Sequence, residues 1–140
     1  METHVKLKTQ SHAAFQLQYH LIFSIKYRHK VINAAMLRRL ELIFHELLFK
    51  WRCKLIEFGG EDDHCHLLIE SHPALDLSKM IGNIKAVSAR KIREEFSEHL
   101  KTYFWKPYFW NKAYAVISVG SRANLKTLVN YIQNQEAPLN

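Results

Sequence analysis

The stretch HCHLLIE, from His64 to Glu70, carries two imidazoles one residue apart in a run that otherwise reads as an ordinary strand. In a strand, residues i and i+2 share a face. His64 and His66 therefore point one way, and Cys65, Leu67 and Ile69 point the other way, into a core. Two neutral imidazoles at this spacing can converge on one metal ion. Mn, Fe, Co, Ni, Cu or Zn suit them by affinity, and Mg²⁺ only if oxygen ligands complete the site. The alternative is two surface histidines at a strand end, and the spacing alone leaves both open. A zinc site drawing in Cys53 and Cys65 fails on geometry, because Cys65 faces away from the histidines and reads as a small buried hydrophobe.

A second constellation lies near the C-terminus, in SRANLKTLVNYIQNQ. Leu125, Leu128, Val129 and Ile132 recur at i, i+3, i+4 and i+7, the packing face of a helix. Tyr131 falls at the edge of that face, and Gln135 stands one turn further along the same side. On spacing alone, a half-packed boundary tyrosine with a wet hydroxyl is the better account of Tyr131.

The rest of the chain supplies elements to hold these groups. From Phe15 to Lys26, apolar and mostly polar residues alternate as in a half-buried strand. A basic loop, Lys26 to Lys30, leads to Asn33, a helix N-cap, and a first helix to about Trp51. Cys53–Phe58 reads as a second strand. It closes at Gly59-Gly60 and the acidic turn Glu61-Asp62-Asp63, and the histidine strand follows antiparallel to it. Asp76 caps a long helix that fades by about His99. Its inner face is Leu77, Met80, Ile81, Ile84, Val87 and Ile92, and its outer face is basic, with Lys79, Lys85, Arg90, Lys91 and Arg93. The aromatic block Tyr103–Tyr114 reads as core and dimer packing. A fourth strand, Ala113–Gly120, and a last helix, about Arg122–Gln135, complete the order β-α-β-β-α-β-α. That order is α+β and ferredoxin-like (RRM-like): an antiparallel sheet with helices on one face. One domain is expected over residues 1–140, with 1–12 as a flexible N-terminal arm and 136–140 as a tail.

The bulk numbers point to the partner. The 140-residue chain carries a formal net charge of +7 and a pI near 9.5, which favours a polyanion: nucleic acid first, an anionic membrane second. No apolar run approaches the length of a membrane span, so the membrane reading falls. Two cysteines without a CxxC pair, and a start lacking the apolar run of a signal peptide, lead to a reducing, cytoplasmic expectation.

HCHLLIE resembles the HUH motif, histidine-hydrophobe-histidine on a strand. YIQNQ resembles the nucleophile helix of the single-tyrosine HUH transposases of the smallest bacterial and archaeal insertion sequences. YHLIFSIKYRHKVI, IKAVSARKIREEF and FWKPYFWNKAYAVISVG resemble further segments of that family, in order, over about residues 15–135. The resemblance implies that His64 and His66 bind a divalent metal, Mg or Mn, with Gln135 as third ligand. Tyr131 would be the nucleophile that leaves a 5′ phosphotyrosine. It also implies a homodimer, with possible exchange of the tyrosine helix between subunits, and single-stranded DNA with hairpins near the element ends as substrate. Cys65 stands where the family has an aliphatic residue, Ala86 where a glycine often stands, and Asp62 where proline is common. Lys26, Tyr27, Arg28 and Lys30 fit a grip on a DNA backbone with a stacked base, and Lys85 and Arg90 fit phosphate contacts from the long helix. Two other readings are a domesticated HUH nickase acting on chromosomal repeats and a non-catalytic ferredoxin-like nucleic-acid-binding module. The second would carry aromatics where His64 and His66 stand.

Overall fold

The computed structural model describes residues 17–119 throughout, the backbone of 8–10 and 13–15, and Asn130. Two short strands, β1 (Lys8–Gln10) and β2 (Ala13–Phe15), pair with each other as a separate hairpin. The main sheet comprises β3 (Gln18–Ile25), β4 (Lys54–Gly60), β5 (His64–Glu70) and β6 (Trp110–Ser118). Its order is β4-β5-β3-β6, with every neighbouring pair antiparallel. Helix α1 (Ala34–Lys50) joins β3 to β4, and α2 (Leu77–Glu95) with the short α3 (Ser97–Leu100) joins β5 to β6. This is the ferredoxin-like arrangement expected from the order of elements. The expected last helix, with Tyr131 and Gln135, lies outside the described residues apart from Asn130, as do residues 1–7 of the expected arm.

Both long helices start where a side chain satisfies a free backbone donor. The Asn33 Oδ1 accepts from the Met36 amide at 2.9 Å, and the Asp76 Oδ1 accepts from the Lys79 amide at 3.1 Å. From there α1 buries Met36, Leu40, Ile43, Phe44, Leu47 and Leu48, and α2 buries Met80, Ile81, Ile84, Ala89 and Ile92. They meet the sheet face formed by Leu21, Phe23, Cys65, Leu67 and Ile69, all fully buried. Phe23, Phe44 and Trp110 pack edge-on or tilted, with ring centroids 5.7–6.3 Å apart. No helix among the described residues is long and apolar enough to cross a membrane.

Several boundaries differ from the sequence expectation. Phe15 belongs to β2 and not to the strand of the main sheet, which starts at Gln18. Strand β4 begins at Lys54, one residue after Cys53. Helix α2 stops at Glu95, where Phe96 leaves helical geometry at φ −122°, ψ 33°. Strand β6 begins at Trp110, earlier than Ala113, because Trp110 pairs with Ile25 beyond an irregularity at Phe23–Ile25.

The SAR-like segment has a structural role. Ser88 is fully buried; its hydroxyl donates to the Lys85 carbonyl at 3.1 Å and accepts from the Trp110 indole Nε1–H at 2.9 Å. Ser88 thus ties α2 to the start of β6. Ser88→Ala leaves the buried indole donor without this acceptor. It is expected to lower unfolding free energy by about 1–3 kcal/mol, read as a reduced midpoint in urea at unchanged slope.

Candidate functional site

The sheet face opposite the helices carries His20, Ile22 and Ser24 from β3 and His64 and His66 from β5. Register pairs Ser24 with His64 and Ile22 with His66. On the other side of β3, Ala115 pairs with Ile22. The alternation expected from HCHLLIE therefore holds: the two imidazoles share one face, and Cys65 is fully buried on the other. Burial pushes the Cys65 thiol well up, which keeps it protonated and inert as a ligand.

His64 is held by its neighbour. Its Nδ1 lies 2.9 Å from Asp63 Oδ1. A carboxylate only accepts, so Nδ1 carries the proton and the Nε2 lone pair is left for another partner. The other Asp63 oxygen, Oδ2, lies 3.3 Å from an Arg28 guanidinium nitrogen. Asp63 and His64 are both buried, at 8% exposure each. Main-chain bonds fix the same turn: the Ile25 amide donates to the Asp63 carbonyl at 2.8 Å, and the Ile32 amide to the Asp62 carbonyl at 2.9 Å. The basic loop is thus laced to the turn that precedes the histidines.

His66 has a different environment. Burial foremost, then the neighbouring His64 and His20, hold its pKa below the ordinary imidazole value, with Glu57 opposing. A depressed pKa keeps a nitrogen lone pair available to lower pH. Beside His64, the Ser24 hydroxyl is buried and, among the described residues, has no hydrogen-bond partner. Two imidazoles on one face, one oriented by a carboxylate, and a hydroxyl at the strand position paired with His64 suit a divalent cation with oxygen ligands. Among the described residues, no three His, Cys, Asp or Glu side chains come together to hold a metal. A complete site therefore needs donors beyond this set.

The residues read as DNA contacts divide. Tyr27 and Lys30 are exposed. Lys26 Nζ lies 5.1 Å from the centroids of both the Tyr27 and Tyr108 rings, a cation–π arrangement. The Tyr108 hydroxyl beside it raises the Tyr27 phenol above its ordinary pKa, keeping it protonated. Tyr27 and Arg28 both adopt positive φ, 59° and 54°. That backbone disfavours residues with a Cβ by about 1–2 kcal/mol each, and here it carries the chain to where Arg28 meets Asp63. Arg90 is exposed on α2. Lys85 is turned inward: its ammonium donates to the carbonyls of Asn111, Lys112 and Ala113 at 2.7, 2.9 and 3.5 Å and lies over the Phe23 and Tyr114 rings. Sequence reasoning missed Asp63 and His20. The signal for Asp63 was a carboxylate directly before a candidate ligand; for His20 it was an even-numbered place on the alternating first strand.

The family model described as "Transposase IS200 like" matches residues 13–135. The ISDra2 transposase TnpA of Deinococcus radiodurans is 28% identical over 121 residues, 86% of this chain and 85% of that protein. The transposase for insertion sequence element IS200 of Salmonella typhimurium is 28% identical over 128 residues, 91% of this chain and 82% of that protein. A crystal structure of a candidate transposase from Deinococcus radiodurans R1 superposes with a TM-score of 0.82 at 30% identity, covering 91% of this chain and 97% of the other. The fold is also that of a REP-associated tyrosine transposase bound to a REP hairpin, at TM-score 0.50 and 10% identity, over 95% of this chain and 69% of the other. With the family model running over residues 13–135, the chain belongs to the IS200-like transposase family.

Proposed function

We propose that this transposase cleaves and rejoins single-stranded DNA at insertion-sequence ends through a 5′ phosphotyrosine, with Tyr131 as nucleophile and His64, His66 and Gln135 as ligands of a divalent metal, Mg²⁺ or Mn²⁺. The observation that carries the reading is the imidazole pair on the sheet face opposite the helices: Asp63 fixes the tautomer of His64, and burial foremost holds the pKa of His66 down. Family membership supplies DNA cleavage and transfer as the reaction class.

The chemistry fits these residues. The Tyr131 oxygen attacks the phosphorus as its proton departs; the 3′ oxygen leaves and is protonated, and the protein is joined to the 5′ phosphate. The phosphotyrosine ester conserves the energy of the broken linkage, so a 3′ hydroxyl of another strand can displace the tyrosine without ATP. The bound metal would polarise a non-bridging phosphate oxygen and orient the strand. Asp63 holds the His64 ring so that its Nε2 faces the site. Lys26, Tyr27 and Lys30 present charge and a ring for the incoming strand, with Arg90 a phosphate contact on α2. The substrate proposed is single-stranded DNA bearing hairpins near the element ends, in line with the hairpin bound by the REP-associated relative. The assembly proposed is a homodimer in which the tyrosine helix of one subunit can complete the histidine pair of the other.

The test is incubation with 5′- and 3′-labelled single-stranded hairpin oligonucleotides and Mn²⁺, followed by a denaturing gel. The expected result is a metal-dependent covalent adduct on the 5′ side of the break and a free 3′ hydroxyl. Equal cutting of fully duplex DNA, or products without an adduct, would overturn it.

A further inference from the structure

The ring of His66 lies over the one position of β4 paired with it, and that position, Gly59, has no side chain. Gly59 on β4 pairs with His66 on β5. A Cβ placed on Gly59 would sit 2.8 Å from His66 Nε2, 2.9 Å from its Cε1 and 3.8 Å from its Cδ2. The first two separations are closer than any ordinary van der Waals contact, and all three atoms belong to the same imidazole. A side chain here would have to displace the imidazole, because the atoms it meets are the far end of the His66 side chain; the φ of Gly59 is not in the left-handed region.

The register that puts Gly59 there is itself irregular. From Lys54↔Glu70 and Leu55↔Ile69, an unbroken ladder would bring Phe58 opposite His66. The ladder shifts between Leu55 and Glu57, so that Phe58 pairs with Leu67 and Gly59 with His66. Cross-strand partners share a face. The shift therefore places the Phe58 ring on the core side, where its centroid is 6.0 Å from that of Phe44, and a residue without a side chain beside the imidazole. A one-residue bulge in β4 thus serves two ends at once.

We propose that Gly59 is a positioning residue for the metal site: it is the seat of the His66 imidazole, and the β4 bulge exists to bring a glycine to that seat. The inference rests on the reading of His66 as a ligand. A side chain at position 59 pushes the ring off its place while leaving His64, Asp63 and the sheet intact. The neighbouring Gly60 is different in kind: a Cβ there meets the main-chain oxygen of His64 at 2.6 Å, a clash with backbone that no side-chain rotation relieves.

The test is Mn²⁺ titration of the purified protein, followed by the electron paramagnetic resonance signal of free Mn²⁺, for wild type, Gly59→Ala, His66→Ala and the double variant. Gly59→Ala is expected to weaken Mn²⁺ binding by about tenfold or more, the size usual for a disturbed neighbour of a ligand. Any fall in Tm that Gly59→Ala causes is expected to vanish in the His66→Ala background, because the atoms met are those of His66. Wild-type affinity in Gly59→Ala, or an equal fall in Tm in both backgrounds, would overturn the seat. Wild type binding Mn²⁺ no better than His66→Ala would overturn the ligand reading, and the Tm comparison, which uses no metal, still decides the contact. Gly60→Ala is the contrasting control, expected to lower Tm in either background.

Discussion

Tyr131→Phe is expected to abolish the covalent protein–DNA adduct and to lower the single-turnover rate of strand cleavage by roughly 10⁴-fold or more, the scale on which removing a catalytic nucleophile acts. Phenylalanine keeps the ring and removes only the oxygen proposed to attack phosphorus. Hairpin binding, measured by gel shift without metal, is expected to stay at the wild-type level, which separates loss of chemistry from loss of fold. Tyr27 is the rival nucleophile worth excluding, since it is exposed on the loop whose Arg28 reaches Asp63. Its phenol is held protonated by Tyr108, the wrong direction for a nucleophile. Tyr27→Phe is therefore expected to form the adduct still. An adduct of wild-type yield in Tyr131→Phe would sink the assignment, and its loss in Tyr27→Phe alone would move the nucleophile to the loop.

Much of the frame was readable from residue spacing, because burial imposes a period. The alternation of HCHLLIE put Cys65, Leu67 and Ile69 in the core, and the 3.6-residue recurrence from Met36 to Leu48 marked the buried face of α1. Asn33 and Asp76 were readable as caps because their role is local. What spacing does not encode is which of several reachable partners a long side chain takes. Arg28 and Lys85 both read as cations for phosphate. The structure gives Arg28 to Asp63 and aims Lys85 at three carbonyls of the β6 strand, contacts between residues 35 and 26–28 positions apart. The β4 bulge was equally hidden, since an extra residue in one strand shows only against its partner's register. Tyr131 and Gln135 stand outside the described residues, so their part in the site rests on the family pattern.

Asp63→Ala is the second large effect expected; it falls chiefly on the metal, with a smaller cost to the fold because Arg28 and His64 lose this acceptor. The carboxylate fixes the Nδ1–H tautomer of His64 and its ring orientation, and it makes Nε2 a better donor. Without it the imidazole is free to rotate and to take the other tautomer, so Mn²⁺ affinity is expected to drop by about 10–100-fold. The turn itself is pinned by main-chain bonds from Ile25 to Asp63 and from Ile32 to Asp62, which a side-chain substitution leaves in place. Calorimetric titration with Mn²⁺ alongside a thermal melt reads both quantities. Asp63→Asn sharpens the argument. Its amide oxygen can still accept from Nδ1, so orientation survives while the negative charge is lost, and affinity should fall between wild type and Asp63→Ala. If Asn and Ala are equally damaging, charge and not orientation is what His64 needs from its neighbour. If neither changes Mn²⁺ affinity, the hydrogen bond between Asp63 and His64 has no part in binding the metal, and the tautomer argument fails.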